Sequence, residues 1–275
     1  MRLLSLFFLL ILASTSYGQL AVPNKAGITF GHVHLQVSDP EAHTKLWVDH
    51  FDGVVSEQNG LAERGLTAIR FPNFFVILEK GEPTGGTAGS VMDHIGFKVR
   101  NIEDFLNKWR AAGYSVDREF IGSEGLPNGY VTMPDGVWVE LQEDQALPVE
   151  VSGYHIHYRT PMFRELLDWY VDHFDLEIRP RGRIETTTNV PGMNMSFALP
   201  TGEWAGSETA PTRGRSLDHI GFEIDNLEVF YEELVEKGVE FDVELREIEE
   251  ISVKVAAFTD PSGVRVELTQ GLDLY

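Results

Sequence analysis

The sequence predicts an α+β chain made of four copies of one unit: a strand, a helix, then about three strands. Two observations carry this. Three motifs of the first half return in order in the second, and every quarter opens with a short alternating segment followed by a capped amphipathic helix. Trp47-Val48-Asp49-His50-Phe51 recurs as Tyr170-Val171-Asp172-His173-Phe174. Met92-Asp93-His94-Ile95-Gly96-Phe97 recurs as Leu217-Asp218-His219-Ile220-Gly221-Phe222. Pro134-Asp135-Gly136-Val137-Trp138-Val139-Glu140-Leu141 recurs as Pro261-Ser262-Gly263-Val264-Arg265-Val266-Glu267-Leu268. The offsets are 123, 125 and 127 residues, a drift that small loop insertions explain, so the halves are an internal duplication.

The elements follow in order. Asp39 is an N-cap with Pro40 at the first helical position, and the helix runs to about Phe51. Asn101 opens the second helix, with Ile102, Phe105, Trp109 and Ala112 on one face and Gly113 as its stop. Thr160-Pro161 opens the third, burying Phe163, Leu166, Leu167 and Tyr170. Asn226 opens the fourth, burying Leu227, Phe230 and Leu234 before Gly238. Short apolar runs at 74–78, 137–141, 195–199 and 264–268, set between Gly and Pro turns, read as strands. Connectors at 81–90, 143–153 and 201–216 separate the quarters. The middle one predicts a boundary between domains at 28–145 and 151–271.

Residues 1–18 differ in kind. Arg2 precedes an apolar run from Leu3 to Ala13, and small residues end at Ser16-Tyr17-Gly18, the pattern of a cleaved signal peptide. The run is too short to span a bilayer, so the expectation is an exported protein, periplasmic or secreted, free of the membrane after cleavage. The 275 residues carry a formal net charge of −21, which repels phosphate and excludes a nucleic-acid partner. The chain has no cysteine, so any metal must sit on His, Asp or Glu.

The duplication keeps His32, His94 and Glu140 in the first half and His155, His219 and Glu267 in the second, all on predicted strands. Two imidazoles and one carboxylate form a facial triad that leaves coordination positions open for substrate and, with iron, for dioxygen. His34 and His157 each lie two residues beyond a triad histidine and share its face, where an imidazole acts as general acid/base or as a hydrogen-bonded neighbour of the ligands. Arg159 continues the His155 face and Arg265 the Glu267 face, placing cations near the second site to receive an anionic substrate. Gln36 and Trp138 hold those places in the first half. His50 and His173 end their helices and read as caps, while Trp47, Trp109 and Trp169 read as core.

Gly31 to Pro40, Asp93 to Phe97 and Asp135 to Leu141 resemble the vicinal oxygen chelate superfamily of glyoxalase I, fosfomycin- and bleomycin-resistance proteins and type I extradiol dioxygenases. The resemblance covers about residues 28–270. It implies βαβββ modules paired into two cup-shaped, incompletely closed β-barrel domains, each around one metal, with ligands at the six positions above. It further implies a small-molecule substrate with two neighbouring oxygens and a divalent metal: Fe(II) first, with Mn, Zn or Ni as alternatives. Glyoxalase-like members add a fourth ligand whose position falls near Ile77 and Phe197, both apolar here. Extradiol enzymes add a His and a Tyr; Tyr130 precedes Glu140 by ten residues, whereas Ala257 stands before Glu267. The expectation is therefore an exported metal-dependent enzyme, extradiol-type in the first instance. A glyoxalase-like lyase or isomerase and a non-catalytic ligand-binding protein are the alternatives. Four modules satisfy one another within one chain, and open sheet edges equally suit a homodimer.

Overall fold

The computed structural model describes residues 20–56 and 59–275; residues 1–18, read above as a signal peptide, lie outside them. The first module holds β1 (Ile28–Val37), α1 (Pro40–Phe51), β2 (Val54–Val55), a short α2 (Asn59–Glu63), β3 (Leu66–Arg70) and β4 (Phe75–Lys80). The second holds β5 (Met92–Val99), α3 (Ile102–Ala111), β6 (Arg118–Ile121), β7 (Pro127–Met133) and β8 (Val137–Glu143). In the third, β9 (Val151–Arg159) and α4 (Phe163–Phe174) are followed by only two strands, β10 (Thr187–Val190) and β11 (Met193–Ala198). The Ile-Arg-Pro-Arg stretch before them makes isolated bridges at Ile178 and Arg181 instead of a strand. The fourth holds β12 (Leu217–Ile224), α5 (Leu227–Glu236), β13 (Phe241–Ile248), β14 (Val253–Thr259) and β15 (Arg265–Gln270).

Local chemistry explains the helix starts. Asp39, Asn101 and Asn226 each accept the backbone N–H three residues on, satisfying a donor that the first turn leaves free. The third helix departs from the expectation. It begins at Phe163 after Met162, and Thr160 is not its cap. His173 meets the Trp169 carbonyl as a C-terminal cap does. His50 instead packs edge-on against Trp109, with ring centroids 5.1 Å apart.

The sheets do not follow the halves. One has eight strands in the order β13-β14-β15-β12-β1-β4-β3-β2, and the other seven in the order β10-β11-β9-β5-β8-β7-β6. The first module therefore pairs with the fourth through antiparallel β1 and β12, and the second with the third through antiparallel β5 and β9. Neither sheet closes into a barrel. Each curls into a cup.

Apolar packing ties neighbours within a half as well as across the halves. Trp47 and Phe51 of α1 meet Phe97 and Phe105 of the second module, and Phe174 of α4 meets Phe222 and Phe230 of the fourth. His43 on α1 reaches Asp135 at 3.2 Å, and Ser38 donates to the same carboxylate. One apolar core runs through both halves, and hydrogen-bonded strand edges join them.

Under the eight-stranded sheet, Glu223 is buried and accepts from the Thr269 hydroxyl and the Gly271 N–H. Burial raises its carboxyl from the ordinary 4.5 to about 7. The folded state therefore binds this proton more tightly than the unfolded chain does, so the stability it contributes is full below pH 4.5 and is lost as pH rises to about 7. Glu223→Gln should flatten that stretch of the stability–pH curve, by at most on the order of 3 kcal/mol, in thermal melts between pH 4 and 8. Parallel curves for the two proteins would contradict it.

Candidate metal centres in two unequal cups

Cross-strand registers set both centres. In the first cup a rung of facing residues runs Phe75–His32–Gly221–Glu267–Ala257 across β4, β1, β12, β15 and β14. In the second it runs Asn194–His155–Gly96–Glu140–Tyr130 across β11, β9, β5, β8 and β7. The central glycine lets the flanking imidazole and carboxylate lean over it. A Cβ on Gly221 would lie 2.0 Å from the His32 ring, and one on Gly96 2.1 Å from that of His155. On the next rung His34 faces His219 and His157 faces His94.

The six metal-type residues are thus brought together, but in other partnerships than the halves suggest. His32 joins His219 and Glu267, and His155 joins His94 and Glu140, with His157 beside them. This corrects the grouping of one triad per half. The physical reason is the strand pairing, because each first-strand histidine can reach only the sheet to which its strand is hydrogen-bonded.

In the first cup the Nε2 atoms of His32 and His219 lie 3.2 and 3.6 Å from Glu267 Oε2, off any hydrogen-bonding axis. Buried imidazole nitrogens without partners, converging on a carboxylate oxygen, are the donor set that a divalent ion satisfies. Burial lowers the His32 pKa, against the pull of Glu267. It also works to raise Glu267, but the two imidazoles outweigh it and hold this carboxyl well below the usual range. A neutral ring and an anionic carboxylate are the forms that bind metal.

The His219 Nδ1 meets Asp218 Oδ1 at 2.7 Å, and His94 Nδ1 meets Asp93 Oδ2 at 2.7 Å. Adjacent strand residues normally face opposite ways; here a β-bulge skips each aspartate in the ladder and turns it toward its histidine. These carboxylates fix the ring orientation, a function that sequence reasoning missed. The signal was present in the Asp-His pair common to both repeats.

The cups differ in everything else. The first opens into a cavity of about 240 Å³ lined by His34, Glu79, Arg64, Arg246 and Arg265 among apolar side chains. His34 stacks on His219, with centroids 4.3 Å apart, and its Nε2 lies 3.1 Å from Glu79 Oε2. Burial and the neighbouring His219 lower its pKa to about 4, against the pull of Glu79. In the second cup Tyr130 stacks between Phe120 and Trp138, and both Tyr130 and Trp138 present to the edge of His94. Burial and the Glu140 carboxylate push the Tyr130 hydroxyl pKa up. Arg181, itself buried, bonds Glu124 and Ser196 on this side. Ala257 and Arg265 replace Tyr130 and Trp138 in the first cup, which leaves its cavity open.

Two further expectations change. Arg159 and Arg265 serve different cups: Arg265 lines the first cavity and touches Asp218 at 3.4 Å, whereas Arg159 bonds the Leu199 carbonyl at the second. The position facing His157, as Ile77 faces His34, is Ser196 rather than Phe197, which points into the core.

The fold and the paired His–Glu clusters agree with the vicinal-oxygen-chelate resemblance carried by the sequence motifs. Residues 154–268 match the sequence model of the Glyoxalase/Bleomycin resistance protein/Dioxygenase superfamily. The match lies in the second half of the chain, and the first half repeats the motifs of that segment. Among solved structures, a single-residue variant of glyoxalase I from Zea mays superposes with a TM-score of 0.70 at 13% identity, over 90% of this chain and 95% of that one. A candidate dioxygenase from Bacillus subtilis gives 0.64 at 11% identity, over 92% and 86%. These likenesses are of fold. No curated protein sequence matches the chain.

Proposed function

We propose that the first cup is the working site of a divalent-metal enzyme that holds a small anionic substrate through two neighbouring oxygens while His34 moves a proton. The observation that carries this is the open cavity: His219 and Glu267 on its wall with buried His32 clustered against them, an imidazole–carboxylate pair beside them and three guanidinium groups around them. A bound divalent ion supplies Lewis-acid polarisation of the substrate oxygens. The chain's own residues do the rest. Arg64, Arg246 and Arg265 favour a carboxylate or similar anion. His34, neutral near pH 7, accepts a proton from the substrate, and Glu79 stabilises the imidazolium that results.

This set favours proton-shifting isomerase or lyase chemistry. Tyr130, the tyrosine that ring cleavage would enlist, is walled into the other cup. Apolar Ile77 at the fourth-ligand position favours a second reading, ring-cleaving dioxygenation on Fe(II), because it keeps coordination positions free. Export to the periplasm or beyond is read from residues 1–18, and N-terminal sequencing of the mature protein tests it.

The test of function uses protein purified without oxygen, chelator or histidine tag, loaded in turn with Fe(II), Mn, Zn and Ni. α-Hydroxy and α-oxo acids are then screened for solvent deuterium uptake, and catechols for oxygen consumption. His34→Gln should lower kcat by about 10²–10⁴-fold with KM little changed. Oxygen consumption with catechols would replace the isomerase reading by the dioxygenase one. Tight ligand binding without turnover under any metal would make the cup a binding site and overturn the enzyme.

A further inference from the structure

We propose that the second cup is a closed, four-ligand metal centre with a structural role, in which His157 is the fourth ligand beside His94, His155 and Glu140. This goes beyond the chemistry proposed for the first cup and does not depend on it. His157 is buried, and neither of its ring nitrogens has a hydrogen-bond partner. An imidazole left so is costly, and a cation removes the cost. Ligand atoms from all four residues lie within 4.8 Å of one another.

The contrast with His34 is specific. Glu79 occupies the His34 Nε2, and on β4 it faces Gln36; on β11 the residue facing Arg159 in the same way is Ala198, so no carboxylate draws His157 from the cluster. Asn128 donates to Glu140 Oε1 at 2.6 Å, which leaves Oε2 directed at His94 and His155, 3.0 and 3.2 Å away. At the matching place in the first cup stands Val255. Three imidazoles and one carboxylate oxygen complete a tetrahedral set with no position left for substrate. The stacked Tyr130 and Trp138 cover it.

Co(II) reports the difference, since tetrahedral cobalt absorbs visible light far more strongly than five- or six-coordinate cobalt. His219→Ala silences the first cup. Cobalt in that protein should show intense bands, and adding His157→Gln should collapse them to weak ones and speed release to EDTA by at least about tenfold. Weak bands in the His219→Ala protein, or bands unchanged by His157→Gln, would overturn the proposal. Should the double variant fail to fold, zinc release decides. EDTA should strip zinc from His219→Ala at least about tenfold more slowly than from a chain carrying both His94→Ala and Glu140→Ala, which keeps only the open cup. Equal rates would overturn it.

Discussion

A chain carrying both His32→Ala and Glu267→Ala should lose one metal centre and keep the other, whereas His32→Ala with Glu140→Ala should lose both. The two members of the first pair lie at opposite ends of the sequence yet on one rung, 3.2 Å apart. Those of the second pair share a half but sit in different sheets. Removing His32 leaves two ligands in the first cup, and removing Glu140 takes from the second its carboxylate, the ligand that offsets the charge of the ion, so both remnants hold a divalent ion weakly. Metal per chain, counted by mass spectrometry after gel filtration, separates the outcomes. Retention of one equivalent by the second pair and of none by the first would mean that the centres follow the halves after all.

Replacing one hydrogen by a methyl group in the ligand rung should be nearly as severe. Gly221→Ala sets a Cβ 2.0 Å from the His32 ring, which is fully buried and has nowhere to retreat. The backbone there is not in the left-handed region, so the harm is steric. The imidazole must swing away from Glu267. We expect metal affinity at the first cup to fall at least about tenfold and stability to fall by about 1–3 kcal/mol, while the second cup keeps its ion. Gly96→Ala should do the converse through His155. Full metal occupancy at the altered cup, measured beside a thermal melt, would show that the histidine does not lie over the glycine.

Both predictions turn on what the sequence could and could not convey. The modules were legible because caps and apolar spacing are local: Asp39, Asn101 and Asn226 each satisfy their own first turn. The ligand types were legible because duplication repeats them on equivalent strands. Their partnership was not. His94 and His219 stand in nearly identical motifs, so nothing local tells His32 which to choose; the choice is made by strand edges far apart in sequence. The slip between Phe197 and Ser196 has a related cause, because in a strand an error of one residue exchanges the two faces. Assigning Arg159 and Arg265 to one site failed with the pairing. The difference between an open and a closed cup was written in the exchange of Tyr130 and Trp138 for Ala257 and Arg265, but its meaning needed the register.

The crossing of sheet edges between the halves bears on what holds the molecule in one piece. The connector between β8 and β9 is short, largely exposed, and crossed by no strand. A protease that cuts it severs the chain without freeing either part, because each fragment remains laced to the other along β1–β12 and β5–β9. Covalent continuity at that point contributes proximity during assembly and little afterwards. The nicked protein should travel as one particle, and its halves should part only when both seams unzip.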